Sequence, residues 1–148
     1  TLTFATPFLT DGLEASGAIT LSKPGVLVQT GGDVGRITVA PMSGVTSTLT
    51  LTFSNGNNAA VSAGVEYGSL TDGRWQLNIP SLNYTASVLR LFGDSNGDGT
   101  VDGGTDFAQF GAAFAQTFAN SPFDFNADGT VEGTTDFAQF GGRFGLTI

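Results

Sequence analysis

Carboxylates, carboxamides and glycines recur at fixed spacing in the last third of the chain, and the chemistry they offer is that of oxygen ligands for a hard cation. One stretch reads DSNGDGTVDGGTDFAQF, from Asp94 to Phe110, and another reads DFNADGTVEGTTDFAQF, from Asp124 to Phe140. The offset is 30 residues at each matched position: Asp94 with Asp124, Asp98 with Asp128, Asp106 with Asp136, Phe110 with Phe140. A calcium loop takes side-chain oxygens from positions 1, 3 and 5, a sharp turn at a glycine in position 6, a main-chain carbonyl from position 7 and a late carboxylate. Those places fall on Asp94, Asn96, Asp98, Gly99 and the carbonyl of Thr100 in the first copy. In the second they fall on Asp124, Asn126, Asp128, Gly129 and the carbonyl of Thr130. Two Ca²⁺ ions are therefore expected, one for each loop.

The late ligand is displaced by one residue in both copies. Position 12 holds Thr105 and Thr135, and the acids follow at Asp106 and Asp136. Gly103-Gly104 and Gly133-Thr134 provide the slack for a longer loop, so Asp106 and Asp136 are the expected late ligands. The rival assignment uses Asp102 and Glu132, directly or through water. Val101 and Val131, at position 8, are expected to anchor the two loops to each other by a short strand contact.

Charge follows the same division. Residues 1–91 hold five acids against four bases, a net of −1, whereas residues 92–148 hold eight acids against Arg143 alone, a net of −7. All eight lie in the two repeated stretches, where a divalent cation in each would relieve their repulsion. A chain of net charge −8 is not expected to bind nucleic acid or an anionic membrane. Cysteine and histidine are absent, which removes disulfides, thiolate metal sites and any His-activated nucleophile. The function is accordingly expected to be non-catalytic. No apolar run approaches the roughly 20 residues of a membrane span. A start at Thr1 without Met is that expected of a processed or excised piece of a longer protein.

The elements that must position the loops differ on either side of Phe92. Residues 1–91 alternate apolar and Thr/Ser side chains with period two, in TLTF (Thr1–Phe4), AITLS (Ala18–Ser22), GVLVQ (Gly25–Gln29) and RITVA (Arg36–Ala40). TSTLTLTF (Thr46–Phe53), AVSAGVEY (Ala60–Tyr67), RWQLNI (Arg74–Ile79) and YTASVLRLF (Tyr84–Phe92) continue the pattern. Turn residues such as Asp11-Gly12, Pro24-Gly25 and Asp72-Gly73 separate them. Short strands at this density predict an antiparallel β-sandwich, immunoglobulin-like, with Trp75 as its core aromatic. After Phe92 the period lengthens: Phe107, Phe110, Phe114 and Phe118, then Phe137, Phe140 and Phe144, predict two helices whose phenylalanine faces pack together. The fold class is thus mainly β with a small α part, divided as 1–91 and 92–148.

A duplicated calcium loop followed by a helix, with no helix leading in, resembles a dockerin domain over about residues 92–144. FGDSNGDGTVDGGTDFAQF is similar to the dockerin repeat in its Asp, Asn, Asp and Gly at loop positions 1, 3, 5 and 6, and in the helix opened by a late Asp. A β-rich lead ending in GRWQLNI and a following FGDSNGDG are similar to the C-terminal regions of large planctomycete-type bacterial surface proteins. The resemblance implies two Ca²⁺ sites, an extracellular or cell-surface setting and a cohesin-like partner. At loop positions 10 and 11, where that family contacts cohesin, this chain has Gly103-Gly104 and Gly133-Thr134 in place of a Ser-Thr type pair.

Three functions follow as expectations. The leading one is a calcium-stabilised extracellular module that anchors or assembles a larger surface protein or filament, by self-association or through a protein partner. The others are a calcium-dependent adaptor for a cohesin-like partner, and a carbohydrate-binding module using Tyr67, Trp75 and Tyr84 as a stacking platform.

Overall fold

A computed structural model of the chain describes residues 1–55, 64–117 and 121–148. Phe118, residues 60–63 of the AVSAGVEY segment and Gly56-Asn57 of the Ser54–Asn57 turn lie outside the described residues. The chain divides into two compact units, Thr1–Val88 and Leu89–Ile148.

The first unit is a curled sheet. Its strands are β1 (Leu2–Leu9), β2 (Thr20–Lys23), β3 (Val26–Thr30), β4 (Arg36–Ala40), β5 (Val45–Ser54), β8 (Gly73–Ile79) and β9 (Tyr84–Arg90). The spatial order is β1-β5-β4-β3-β2-β8-β9, and β6 (Val65–Glu66) with β7 (Ser69–Leu70) forms a separate two-stranded ribbon whose Val65 and Leu70 share the sheet's core. Alternation decides which side chains enter the core. In β8, Trp75, Leu77 and Ile79 are buried while Arg74 and Gln76 face out. In β4, Ile37 and Val39 are buried while Thr38 and Ala40 face out. The long strand β5 serves two neighbours in turn, pairing Val45–Leu49 with β1 and Thr50–Ser54 with β4. The register between β1 and β5 breaks between Thr3 and Phe8, around Pro7, which has no N–H to give to a ladder. Phe4 of β1 meets Tyr84 of β9 edge to face at 5.1 Å, so the curl brings the first and last strands of the sheet together.

One pairing departs from the antiparallel expectation. β3 and β4 run parallel, with Gln29 opposite Arg36 and Thr30 opposite Ile37. Parallel neighbours ordinarily need a crossover of a dozen or more residues. Here residues 31–35 suffice because Gly31 and Gly35 adopt left-handed φ values of 64° and 72°. Gly32 lies so close that a Cβ would stand 2.5 Å from the carbonyl of Gly35. Buried Thr30 fixes the start of this turn, donating its hydroxyl to the carbonyl of Ala15 at 2.6 Å and accepting the N–H of Ile19 at 3.1 Å.

Trp75 takes the core-aromatic place. It is buried, donates Nε1–H to the carbonyl of Thr71 at 2.9 Å, and carries the Lys23 ammonium 4.7 Å from its ring. That ammonium also reaches the carbonyl of Asp72 at 2.6 Å, which fastens the turn before β8 onto β2. Of the three aromatics expected to form a stacking platform, Trp75 is inside the core, Tyr84 is half-buried against Phe4, and Tyr67 alone is mostly exposed. A platform of all three is excluded by that burial.

The second unit has two eight-residue helices, α1 (Asp106–Ala113) and α2 (Asp136–Arg143). The first is shorter than the phenylalanine spacing predicts. Phe114 is already extended (φ −60°, ψ 138°) and Ala115 is left-handed at φ 59°. The stripe is also narrower than expected. Phe110 and Phe140 are buried and their rings meet at 4.7 Å, but Phe107, Phe114, Phe137 and Phe144 are each more than 40% exposed. The rest of the core comes from the loops: Leu91, Phe92, Val101, Phe123 and Val131. Among the described residues no helix is long and apolar enough to cross a membrane.

Gly64 tests the packing of Trp75. Its φ is +79°, and an added Cβ would stand 2.5 Å from both the Trp75 ring and Val26. Gly64→Ala is expected to cost about 2–4 kcal/mol from overpacking and left-handed strain, measured as a fall in the urea midpoint at unchanged m-value.

Candidate metal centre

The two loops are built on one hydrogen-bond plan. In the first, the carboxylate of Asp94 accepts the N–H groups of Gly97 at 2.7 Å, Asp98 at 3.2 Å and Gly99 at 2.9 Å, which curls the chain around its first side chain. Asn96 accepts the N–H of Asp98 at 2.9 Å and donates Nδ2–H to Asp98 Oδ2 at 2.8 Å. Asp98 Oδ1 accepts the N–H of Thr100 at 2.8 Å. The second loop repeats the plan through Asp124, Asn126, Asp128, Gly129 and Thr130, with distances of 2.8–3.1 Å. Gly99 and Gly129 turn the chain at φ 87° and 93°, values that a side chain resists.

The structure therefore brings the side chains of Asp94, Asn96 and Asp98 together, and likewise Asp124, Asn126 and Asp128. It gives the later acids other partners. Asp106 is fully buried. Its Oδ1 accepts the N–H and hydroxyl of Ser95 at 2.9 and 2.8 Å, and its Oδ2 accepts the N–H of Asp102 at 2.8 Å. Asp136, equally buried, accepts the N–H groups of Phe125 at 2.8 Å and Glu132 at 2.9 Å. Each of these carboxylates braces position 2 of its loop to position 9. Asp102 Oδ1 accepts the N–H groups of Gly104 and Thr105, both at 2.9 Å, satisfying donors at the start of α1. Glu132 does the same for Thr134 and Thr135 before α2 and also accepts the Thr134 hydroxyl. Those hydrogen bonds hold the Glu132 carboxyl well below its ordinary value.

The braces are not equivalent. Burial works to raise both carboxyls. At Asp106 the hydrogen bonds from Asp102 and Ser95 outweigh it and the carboxyl sits below its usual value. At Asp136 burial prevails, helped by the charges of Glu132 and Asp124, and the carboxyl sits above it. The cause is visible in the repeat: Ser95, which adds a hydroxyl, is replaced 30 residues on by Phe125, which cannot.

Val101 and Val131 do not pair with each other as expected. Val101 donates its N–H to the carbonyl of Leu146 at 3.0 Å and accepts the N–H of Gly145 at 2.8 Å. Val131 donates to the carbonyl of Gln116 at 3.2 Å and accepts from Ala115 at 2.8 Å. Both main-chain groups of each valine are engaged by the segment that follows the opposite helix.

Three aromatic residues escape the sequence argument. Phe92 and Phe125 meet edge to face at 5.0 Å, and the guanidinium of Arg143 lies 5.6 and 5.2 Å from their ring centres. Phe123 meets Phe110 at 5.5 Å. The available signal is the failure of the repeat: Phe123 and Phe125 stand where the first copy has Gly93 and Ser95.

The donor chemistry fits a hard dication. Each loop offers two carboxylates, a carboxamide oxygen and a main-chain carbonyl, all oxygen, with no nitrogen or sulfur ligand. Among the described residues no group of three or more Asp or Glu side chains converges as a metal cluster. No family model matches the chain, and neither a curated protein nor a solved structure matches it.

The inequality of the braces is measurable. Asp106→Asn is expected to cost about 1.5–3 kcal/mol, the range for hydrogen bonds to a charged group. Asp136→Asn should cost less, because its charged form is already disfavoured. Urea unfolding of both variants in chelator decides this; equal losses would contradict the assigned asymmetry.

Proposed function

We propose that this protein is a non-catalytic, calcium-binding extracellular module that anchors or assembles a larger surface protein or filament. On this reading residues 92–148 form a dockerin-like pair of loop–helix units and the curled sheet before them is an immunoglobulin-like sandwich. The observation that carries the reading is the repeated hydrogen-bond plan of the loops. Asp94, Asn96 and Asp98 are drawn together by the same contacts that draw together Asp124, Asn126 and Asp128. In each loop these side chains and the carbonyl of Thr100 or Thr130 would hold one Ca²⁺, which supplies charge neutralisation and rigidity. Asp106 and Asp136, the late ligands of this reading, also brace each loop behind that set through the main-chain N–H groups they accept. A net charge of −7 over residues 92–148 supports the need for two dications, which would bring the whole chain from −8 to about −4.

A calcium-dependent protein partner, cohesin-like or otherwise, is the second reading. It is favoured by the exposure of Phe107, Phe114, Phe137 and Phe144, of which Phe107 and Phe144 meet at 6.4 Å, since exposed apolar side chains in contact mark interaction sites. Burial of Trp75 weighs against the carbohydrate reading.

Chelation tests the first reading directly. A ligand bound to the folded form alone, at a hundred times its Kd, stabilises by about 2.7 kcal/mol. Removing Ca²⁺ is expected to lower the melting temperature of residues 92–148, monitored by proteolysis or amide exchange, and to leave the first unit's transition in place. Identical melting with and without chelator would remove the basis for a calcium module. Pull-down with and without Ca²⁺ separates an assembly module, which captures its own copies, from an adaptor.

A further inference from the structure

The two repeats exchange their last strands. After α1, Ala115–Thr117 runs antiparallel to Thr130-Val131 of the second loop, bridging Thr117 to Thr130. After α2, Gly145–Ile148 runs antiparallel to Gly99–Val101 of the first loop, bridging Thr100 to Thr147. Three main-chain hydrogen bonds fix this second strap: Val101 N–H to Leu146 carbonyl at 3.0 Å, Gly145 N–H to Val101 carbonyl at 2.8 Å, and Ile148 N–H to Gly99 carbonyl at 3.0 Å. The Thr100 and Thr147 hydroxyls add a contact at 3.1 Å. Side chains cross in the same sense. A Cβ on Gly103 would lie 3.4 Å from the Phe144 ring, and one on Gly133 would lie 3.7 Å from the Phe114 ring. Gly93, just before the first loop, backs onto Phe140 of α2, where a Cβ would stand 2.9 Å away, while Phe123, just before the second loop, meets Phe110 of α1.

We infer that each post-helix segment is a strap that holds the other repeat's loop closed, so that the two loops close and load as one unit. Position 7 lies inside the strapped stretch: Thr100 and Thr130, whose carbonyls are the main-chain candidates of the proposed sites, are the bridged residues. A repeat that loses its helix therefore loses the strap on the opposite loop, and a cation that orders one loop orders the strap delivered by the other helix. Cation coupling in this sense rests on the calcium reading; the strapping itself does not.

The experiment compares the full chain with a variant lacking residues 145–148, and with Ile148→Pro, which removes only the donor to Gly99. Amide exchange is followed in chelator, then Ca²⁺ alone is titrated by calorimetry. In chelator, exchange at Val101, whose N–H is given to Leu146, is expected to speed at least tenfold in the deletion and by less in Ile148→Pro, while Val131 stays protected. Loss of three main-chain bonds corresponds to about a tenfold or greater loss of first-loop affinity. The full chain should load both loops in one cooperative transition and the deletion in two separated ones. If the deletion unfolds the whole unit, Ile148→Pro decides by the same amides. Unchanged protection at Val101, or faster exchange confined to α2, overturns the strap. If the full chain takes up no Ca²⁺ while Val101 loses protection in the variants, the strap stands, and both the calcium reading and the cation coupling fall.

Discussion

Two carboxylates without solvent contact hold the second unit in shape. A buried charge is tolerated only when donors surround it, and Asp106 and Asp136 are met by main-chain N–H groups from two separate points of their loops. Each loop is thereby tied across its width by the first residue of the helix that follows it. That tie fixes where the helix begins. It also leaves the outer acids of the loop, Asp94 with Asp98 and Asp124 with Asp128, facing one another across a short turn. Those outer carboxylates are met by main-chain and carboxamide N–H groups of their own loop.

The helices themselves contribute little independent stability. Eight residues are too few for a helix to persist alone in water, and each contains at least one interior glycine, Gly111 in α1 and Gly141 and Gly142 in α2. They persist because Phe110 and Phe140 bury against each other and because each helix is bounded by main-chain contacts at both ends. An Asp brace starts it. Beyond its end, an extended segment bonds to the other loop instead of continuing the helix. Short helices, crossed segments and a small phenylalanine core form one construction in which no repeat is complete without its partner. Exposed phenylalanines are the complement of this economy. A core that needs one ring from each helix leaves Phe107, Phe114, Phe137 and Phe144 at the surface.

In the first unit the governing constraint is the curl of one sheet around a single apolar interior. Strand β5 turns from one neighbour to the other, and the parallel β3–β4 pair is possible only because glycines at positions 31 and 35 compress the connection. Among the described residues of this unit no loop repeats the hydrogen-bond plan of the second unit. The chemistry of the chain is concentrated in its last third.

How much of this was legible in the residues depends on the range of the interaction. Period-two alternation located most of the strands, and Arg36–Ala40 coincides with β4. The 30-residue repeat located both loops and both helix starts, because turns at glycine and side chain to main chain bonds within five residues are local events. Longer-range outcomes were not legible. The phenylalanine spacing predicts helices that continue past Phe114, yet Ala115 leaves the helix to bond to Val131, a competitor that lies in the other repeat. Val101 and Val131 were placed together by position, but their main-chain groups go to Gly145-Leu146 and Ala115-Gln116. The brace that Asp106 and Asp136 make across their loops was not legible either, because an acid in a loop looks the same from the sequence whatever main-chain groups it accepts. Composition and spacing alone determined that two oxygen-rich loops exist and where each one turns. Tertiary structure decided which carboxylates turn inward and which strand closes which loop, since burial and strand pairing are set by neighbours that sequence distance does not reveal.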